Sequence, residues 1–286
     1  MFDLHIHTSH SSDGQHSPQE IMRMAKRRGL TGLAFADHMD ISAIPKGIQL
    51  AGPCGLQFFT GVEISVTSHA QEYHLLFYGF DPDHAFLRDF LAEHCAALWD
   101  KAFSALDSFS GMGFAIEKDD VDGWGRSVPT GVTFLNALKK KNSRDARLHA
   151  YISGSKSASP YLNFYQDFAH TDIGNLLRST LPDLHETISL LKGSGLLVLA
   201  HPGNLGRDFL ADLKRRGVEG IEAYSSHHTR GTTRYLVDAA HSLGLLISAG
   251  SDFHGELIKP GIALGEVTGL NDDALIRELT DRSALY

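Results

Sequence analysis

The chain has 286 residues, of which 42% are apolar and 21% charged, and a formal net charge of −8. The length suits one large domain or a core domain with a smaller insertion. The acidic balance argues against long nucleic acid as the main partner, since such binders present basic surfaces; a small phosphorylated substrate stays open, because bound cations reverse the sign locally.

Seventeen histidines are the unusual count. Cys54 and Cys95 offer neither a disulfide framework nor a thiolate zinc site, so a reduced, cytoplasmic setting is expected. No signal-like segment precedes the first strand and no apolar run approaches a membrane span, so no membrane partner is expected.

In chain order, Phe2–Thr8 reads as a strand whose His5 and His7 face away from Leu4 and Ile6. Ser17-Pro18-Gln19-Glu20 opens a helix with a capping box and Pro in the first turn, and Gly29 ends it. Leu33–Ala36 is the second strand, leading to Asp37-His38, and Asp40–Gly55, with two Pro and three Gly, reads as a loop. Phe58–Ile64 and Tyr73–Phe80 are strands carrying Glu63 and His74. Ala85–Phe109 has apolar residues at helical spacing. The region from about 100 to 180, with a helix expected over Val132–Lys140, reads as a largely helical insertion covering the mouth of the main domain (1–99 and 181–286). Alternation then resumes: helix Leu184–Lys192, strand Leu196–Ala200, helix Arg207–Arg216, strand Gly220–Tyr224, helix Thr232–Leu243, strand Leu245–Ala249 and a last helix near Asn271–Arg282. Strand–helix–strand alternation predicts a parallel α/β barrel, here of seven strands.

His5, His7, Asp13, His38, Glu63, His74, His201, Asp252 and His254 all fall on or just beyond these strand ends. In a parallel barrel those ends share one face. Any one histidine after a strand is more often a hydrogen-bonded loop residue than a ligand; the set changes that reading. Imidazole and carboxylate without thiolate suit manganese, iron or zinc. Nine ligands are too many for one ion, so two or three divalent ions sharing Glu63 are expected.

His5-x-His7, Asp37-His38, Ala200-His201-Pro202 and Ser251-Asp252-x-His254 resemble the four motifs of the PHP (polymerase and histidinol phosphatase) family, with Gly61-Val62-Glu63-Ile64 and His74-Leu75-Leu76 resembling the positions between motifs two and three. The resemblance covers about 2–80 and 195–265 and implies a distorted (β/α)7 barrel. It implies three ion groupings: His5, His7, Glu63 and Asp252; Glu63, His74 and His201; Asp13, His38 and His254. The segment His7–Asp13 is a residue longer than is common in the family, which leaves Asp3 and His10 as substitutes for Asp13. Asp37 is expected to orient a ligating histidine.

The resemblance implies phosphoester hydrolysis, with a metal-bridged hydroxide attacking phosphorus. His228 and Asp252 are the catalytic candidates, His228 supplying a proton or a hydrogen bond to the phosphoryl group; the plain alternative is that it caps the following helix. Arg144, Arg147, Ser155 and Lys156, with His228, are the substrate-binding candidates, guanidinium and ammonium groups being suited to phosphate; as a charge run they read equally as a solvated surface. Tyr161, Phe164 and Tyr165 could stack a base or sugar, or form the insertion's own core. Among the activities the resemblance offers, the Ser153–Ser157 and Pro160–Phe164 stretches look closest to a phosphoribosyl 1,2-cyclic phosphate phosphodiesterase. A nucleoside 3′,5′-bisphosphate 3′-phosphatase, a histidinol phosphatase and an RNA or DNA end nuclease are the alternatives. A non-enzymatic metal-binding module and C–N bond hydrolysis fit less well, the ligand set being complete and three ions suiting phosphoryl oxygens.

Overall fold

A computed structural model of the chain describes residues 1–121, 127–169, 171–267 and 269–283. Residues 122–126 and 170 of the expected insertion lie outside the described residues. The first half opens with β1 (Phe2–Ile6), α1 (Pro18–Arg27), β2 (Gly32–Phe35), α2 (Ile44–Cys54) and β3 (Gln57–Phe59). The expected capping box starts α1: Ser17 Oγ accepts from the Glu20 amide at 3.4 Å, and Glu20 Oε2 accepts from the Ser17 amide at 2.8 Å.

The stretch expected to be a loop, 40–55, contains helix α2. Pro45 sits in its first turn, where no amide is needed, and Gly55, at φ 70°, closes it. Gly47 is there for closeness: a Cβ would stand 2.2 Å from the Phe58 ring. Its glycines and prolines serve helix ends and packing, not a loop.

The expected third strand is two strands. Phe58 pairs with β2, but at Thr60 the chain turns away; its carbonyl accepts from the Gly79 amide at 3.0 Å and its hydroxyl donates to the Phe80 carbonyl at 2.8 Å. β4 (Gly61–Ser68) then runs antiparallel to β5 (Gln71–Tyr78) through a two-residue turn. His69 and Ala70 both have positive φ there, as such hairpin turns require. A hairpin this tight cannot join parallel strands, so the purely parallel alternation fails here. Eight strands result among the described residues rather than seven, in sheets ordered β1-β2-β3 and β4-β5-β6-β7-β8. β6 (Leu196–Leu199), β7 (Gly220–Ser225) and β8 (Leu246–Gly250) are mutually parallel, and β6 is antiparallel to β5.

Pairing between the two sheets is reduced to single parallel bridges, Ile6 with Phe253 and His38 with Glu63. At these seams the His7 amide donates to the Phe253 carbonyl at 2.9 Å and the Met39 amide to the Glu63 carbonyl at 2.8 Å. They bring the chain just beyond β1, β2 and β8 against the strand carrying Glu63.

Directly paired residues share a face of a sheet. The register Glu63–Leu76–Val198–Gly220–Leu246, with Glu222 opposite Ser248, therefore defines one face. One end of it is apolar: Leu4, Leu76, Tyr78 and Val198 pack with Leu275 and Leu279 of α11 (Asp273–Ser283). The other end is polar and forms the site below.

Between β5 and β6 run α3 (Ala85–Gly111), a short 3-10 turn, α4 (Gly131–Asn142), α5 (Ala146–Ile152), α6 (Pro160–Phe168) and α7 (Asp172–Arg178). Phe109 gathers Phe134, Phe164 and Phe168 at ring separations of 5.7, 6.5 and 5.5 Å. These rings belong to the same apolar cluster as Val62, Ile64 and Leu197 of the sheet, so the helices share a core with it. α8 (Leu184–Leu191), α9 (Arg207–Arg216) and α10 (Arg230–Leu243) complete the fold.

Candidate active site

Glu63, fully buried in β4, is the centre. Its Oε1 lies 2.8 Å from His74 Nδ1 and 3.1 Å from His201 Nε2. Its Oε2 lies 3.3 Å from His5 Nε2, 3.2 Å from His7 Nε2 and 3.0 Å from His38 Nδ1. Asp252 Oδ1 stands 3.4 and 3.1 Å from the same nitrogens of His5 and His7. On the far side of His7, Asp13 Oδ2 is 3.4 Å from His38 Nε2 and 3.7 Å from His254 Nε2. All nine expected ligands thus lie in one cluster. Two sets of donors converge within 4.8 Å: His5, His7, Glu63 and Asp252, and His7, Asp13, His38 and His254. Further sets are His38, Glu63 and His74, and His201, His227 and Asp252.

His5 Nε2, both nitrogens of His7, His38 Nδ1 and Asp252 Oδ1 are buried without a hydrogen-bond partner. They sit close to one another yet are not aligned as donor and acceptor. Buried polar atoms are rarely left so, and cations held in these donor sets would supply partners for the ring nitrogens and carboxylate oxygen that converge on them. The donor set fits divalent ions of the borderline kind.

Charges are strongly coupled here. Burial disfavours charge on His5, but Glu222, Glu63 and Asp252 outweigh it and raise its pKa well above the imidazole norm. Burial pushes His7 down to about 4, helped by neighbouring His254 and His38. Burial also opposes charge on His74, yet Glu63 lifts it to about 9. Burial works against the ionised form of Glu63 too, and His5, His74 and His38 nevertheless hold it well below the carboxylate range. Asp252 is held low in the same way against burial, by Lys259 first and then His5. Two of the expected ligands carry backbone strain: His201 has φ 27° and Asp252 φ 53°. Such conformations persist where the surroundings over-determine them, commonly at functional sites.

Asp3 and His10, the substitutes for Asp13, lie elsewhere. Asp3 takes the Ser251 amide and hydroxyl at 2.9 and 2.6 Å and the Gly265 amide at 2.7 Å, tying β1 to the loop after β8. His10 Nδ1 lies 2.7 Å from Ser42 Oγ. Asp37 accepts the amide and hydroxyl of Thr8 at 2.6 and 2.7 Å, so it fixes the end of β1 rather than a histidine ring.

His228 faces away from the cluster. Its Nδ1 lies 3.1 Å from the Ala223 carbonyl, and its Nε2 accepts from the Gly203 amide at 3.2 Å. Both nitrogens serve the backbone, leaving none for a substrate; nor does it cap α10, which Thr229 does. Its neighbour His227 reaches the cluster instead, with Nε2 2.5 Å from Asp252 Oδ2.

A cleft of about 370 Å³ opens from the cluster and is walled by Phe134, Tyr161, Tyr165 and Phe168 of the inserted helices. The substrate-binding candidates from the sequence do not line it. Arg144 and Ser155 are exposed. Arg147 grips Asp145 at 2.9 and 2.6 Å and lies 3.7 Å over the Phe114 ring. Lys156 pairs with Asp167. Phe164 and Phe134 are core residues whose edges line the cleft, whereas Tyr161 and Tyr165 are the more open rings facing it. The cations lining the cleft, among the described residues, are Arg178 and Lys259. Arg178 contacts the Ala169 carbonyl at 2.6 Å, Asn175 at 2.9 Å and Glu72 at 3.8 Å; Glu72 in turn holds His74 Nε2 at 3.2 Å.

Glu222 was invisible to motif reading. It is fully buried on β7, with Oε1 2.9 Å from His5 Nδ1 and Oε2 accepting the His201 amide at 2.9 Å. A lone glutamate inside the otherwise apolar Gly220–Tyr224 run was the available signal.

Residues 3–105 match the PHP domain. The chain carries a PHP domain. It is a PHP-domain metal-dependent phosphoesterase. Relatives matched over most of its length include a 5′-3′ exoribonuclease of Haemophilus influenzae, 27% identical over 88% of this chain and 89% of the relative. A phosphoribosyl 1,2-cyclic phosphate 1,2-diphosphodiesterase of Eggerthella lenta is 26% identical, covering 89% and 94%. A 3′,5′-nucleoside bisphosphate phosphatase of Chromobacterium violaceum is 26% identical, covering 88% and 86%. The solved structure of a Bifidobacterium adolescentis protein assigned to the metal-dependent phosphoesterases superposes with a TM-score of 0.77 at 26% identity, over 98% of this chain and 96% of the other. No helix among the described residues is long and apolar enough to cross a membrane.

Proposed function

We propose that this PHP-family enzyme hydrolyses phosphate esters of small nucleotides, in the manner of a nucleoside bisphosphate phosphatase. The observation that carries the reading is the aromatic wall of Phe134, Tyr161, Tyr165 and Phe168 beside the ligand cluster. Base–aromatic stacking is worth about 1–3 kcal/mol, and a sugar phosphate alone has no aromatic ring to stack on such a wall. The nine clustered residues would hold two or three divalent ions, shared through Glu63. Bound there, such ions supply Lewis-acid polarisation of phosphoryl oxygens and lower the pKa of a water.

The protein's own side chains do the rest. Aromatic residues of α6 position the leaving group. Glu222 holds the His5 ring. His227 presents Nε2 at the mouth of the cleft, where it can give a proton to the departing oxygen. In this reading the two sheets, eight strands among the described residues, close as a distorted barrel, and 100–180 selects the substrate.

The relative from Eggerthella lenta supports a second reading, hydrolysis of phosphoribosyl 1,2-cyclic phosphate. That substrate carries two charged groups and no base, and the cleft's cations are Arg178 and Lys259. The deciding experiment is a comparison of kcat/KM, with manganese-loaded protein, for a nucleoside 3′,5′-bisphosphate, a phosphoribosyl cyclic phosphate and a short RNA. A preference for the cyclic phosphate overturns the nucleotide reading; a preference for RNA moves it to an end nuclease.

A further inference from the structure

Asp252 divides its carboxylate. Oδ1 faces His5 and His7 and is buried without a hydrogen-bond partner. Oδ2 is taken by two groups from outside the nine: His227 Nε2 at 2.5 Å and Lys259 Nζ at 2.5 Å. Nζ also lies 2.7 Å from His227 Nε2. The ammonium therefore stands against the set His201, His227 and Asp252, where donors converge as they would on a metal. A covalently tethered cation already serves that corner.

We infer that Lys259 is a phosphate-binding residue, a fixed cation that takes a phosphoryl oxygen of the substrate beside the metal cluster. Three observations support this. The first is position: Lys259 lines the cleft, and its side chain is 17% exposed, open to a ligand yet largely out of water. Partial desolvation strengthens a charge-assisted bond.

The second is spare capacity. An ammonium has three donors. Asp252 Oδ2 takes one at short range and the Asp252 carbonyl lies at a longer 3.4 Å; His227 Nε2, 2.7 Å away, takes none while it carries the proton it offers to the leaving oxygen. Arg178, the other cation lining the cleft, is tied to Asn175, the Ala169 carbonyl and Glu72.

The third is preorganisation. The loop after β8 is pinned where Lys259 leaves it. The Gly255 carbonyl accepts from the Ile258 amide at 3.1 Å and the Lys259 amide at 2.9 Å, and Gln15 Oε1 accepts from the Leu257 amide at 2.9 Å. Gly255, at φ 98°, has no room for a side chain: a Cβ would sit 2.4 Å from Gln15. The lysine thus projects from a fixed turn, and little ordering is left to be done on binding.

A point charge here adds to the attraction for a phosphomonoester dianion more than for a phosphodiester monoanion. This rests on the phosphoesterase reading for its substrate, but the anion site can be tested without turnover. Inorganic phosphate is titrated calorimetrically into manganese-loaded full-length wild type, Lys259→Ala and Lys259→Arg, with metal content measured on the same samples. Lys259→Ala weakens phosphate binding by about tenfold or more, as expected for a lost hydrogen bond to a charged group, at unchanged metal content; Lys259→Arg recovers most of it. With turnover, KM for p-nitrophenyl phosphate rises more than that for bis-p-nitrophenyl phosphate. Should the alanine variant not fold, Lys259→Gln carries the same comparison.

Unchanged phosphate affinity in Lys259→Ala overturns the inference, as does a wild type that binds no phosphate. Metal loss in that variant with phosphate affinity intact per loaded molecule makes Lys259 merely a counter-ion of Asp252, and also overturns it. If phosphate binds through Lys259 but no ester is hydrolysed, the anion site stands and the reading of the activity falls.

Discussion

Glu222 grips the far side of His5: Oε1 lies 2.9 Å from His5 Nδ1, and neither side chain reaches solvent. The same carboxylate's other oxygen accepts the amide of His201, whose backbone is held at φ 27°. One buried acid thus sets the ring of one expected ligand and the main chain of another. Partners of this kind typically change metal affinity by about 10–100-fold. Glu222→Ala is expected to lower metal affinity within that range, read by competitive metal titration. Glu222→Gln, which keeps an acceptor for one of the two bonds, should fall between. A Glu222→Ala variant with wild-type metal affinity would show that the hydrogen bonds are incidental.

His227 and His228 are adjacent, and the structure separates their contacts. His228 joins the Ala223 carbonyl to the Gly203 amide, while His227 meets Asp252 and Lys259 in the cleft. His228→Ala should therefore lower the melting temperature and leave kcat of the folded enzyme near wild type. His227→Ala should leave the melting temperature nearly unchanged and reduce kcat by about 10²–10⁴-fold, the usual worth of a general acid. Steady-state kinetics and thermal melts on both variants decide it; the opposite pattern would return the catalytic role to His228.

What the sequence made legible follows from chemistry. Imidazoles and acids at strand ends stand out in a row of letters, and all nine meet in one cluster, five of the histidines directly on Glu63. Helix starts such as Ser17–Glu20 are local and equally readable. The hidden features depend on the register between distant segments. Nothing local says that Thr60 bonds to Phe80, and so nothing local splits β3 from β4. Proline and glycine in 45–53 read as loop because Phe58, against which Gly47 packs, is not adjacent in the chain. The basic residues near 144–156 looked suited to phosphate, but their partners are Asp145 and Asp167, on the insertion itself.

The insertion residues give a sharp contrast. Alanine at Arg144, Arg147, Ser155 or Lys156 should leave KM within about twofold of wild type, since none lines the cleft and surface changes are usually small. Arg178→Ala should behave differently. Through Glu72 it steadies His74, so about tenfold loss of kcat/KM is expected, within the range of outer partners of a ligand. Equal effects from both groups would mean that the cleft does not hold the substrate.

Metal removal should loosen the fold as well as stop turnover. Without cations, the unpartnered nitrogens of His5, His7 and His38 remain buried beside Glu63 and Asp252. A ligand present at a hundredfold excess over its dissociation constant stabilises by about 2.7 kcal/mol. Dialysis against a chelator should therefore lower the melting temperature by several degrees and abolish phosphatase activity, with both restored by manganese. A melting temperature indifferent to chelation and to added manganese would mean that the cluster binds no ion tightly.

Gly250, the last residue of β8, tests how tightly the floor of the site is packed. A Cβ there would stand 2.2 Å from His5 Cβ, 2.6 Å from Glu222 Oε1 and 2.9 Å from the His5 amide nitrogen. Two of those atoms are close to the backbone of β1 and cannot swing aside as the end of a long side chain could. Overpacking of this kind costs about 1–3 kcal/mol. Gly250→Ala should lower the urea midpoint accordingly and, by pushing the His5 ring off Glu222, should lower metal affinity as well. The paired readout matters. A loss of stability with metal binding intact would mean that β1 and β8 move apart as a unit, keeping His5 and Glu222 together; loss of both ties the position of the ligand to the missing side chain at residue 250.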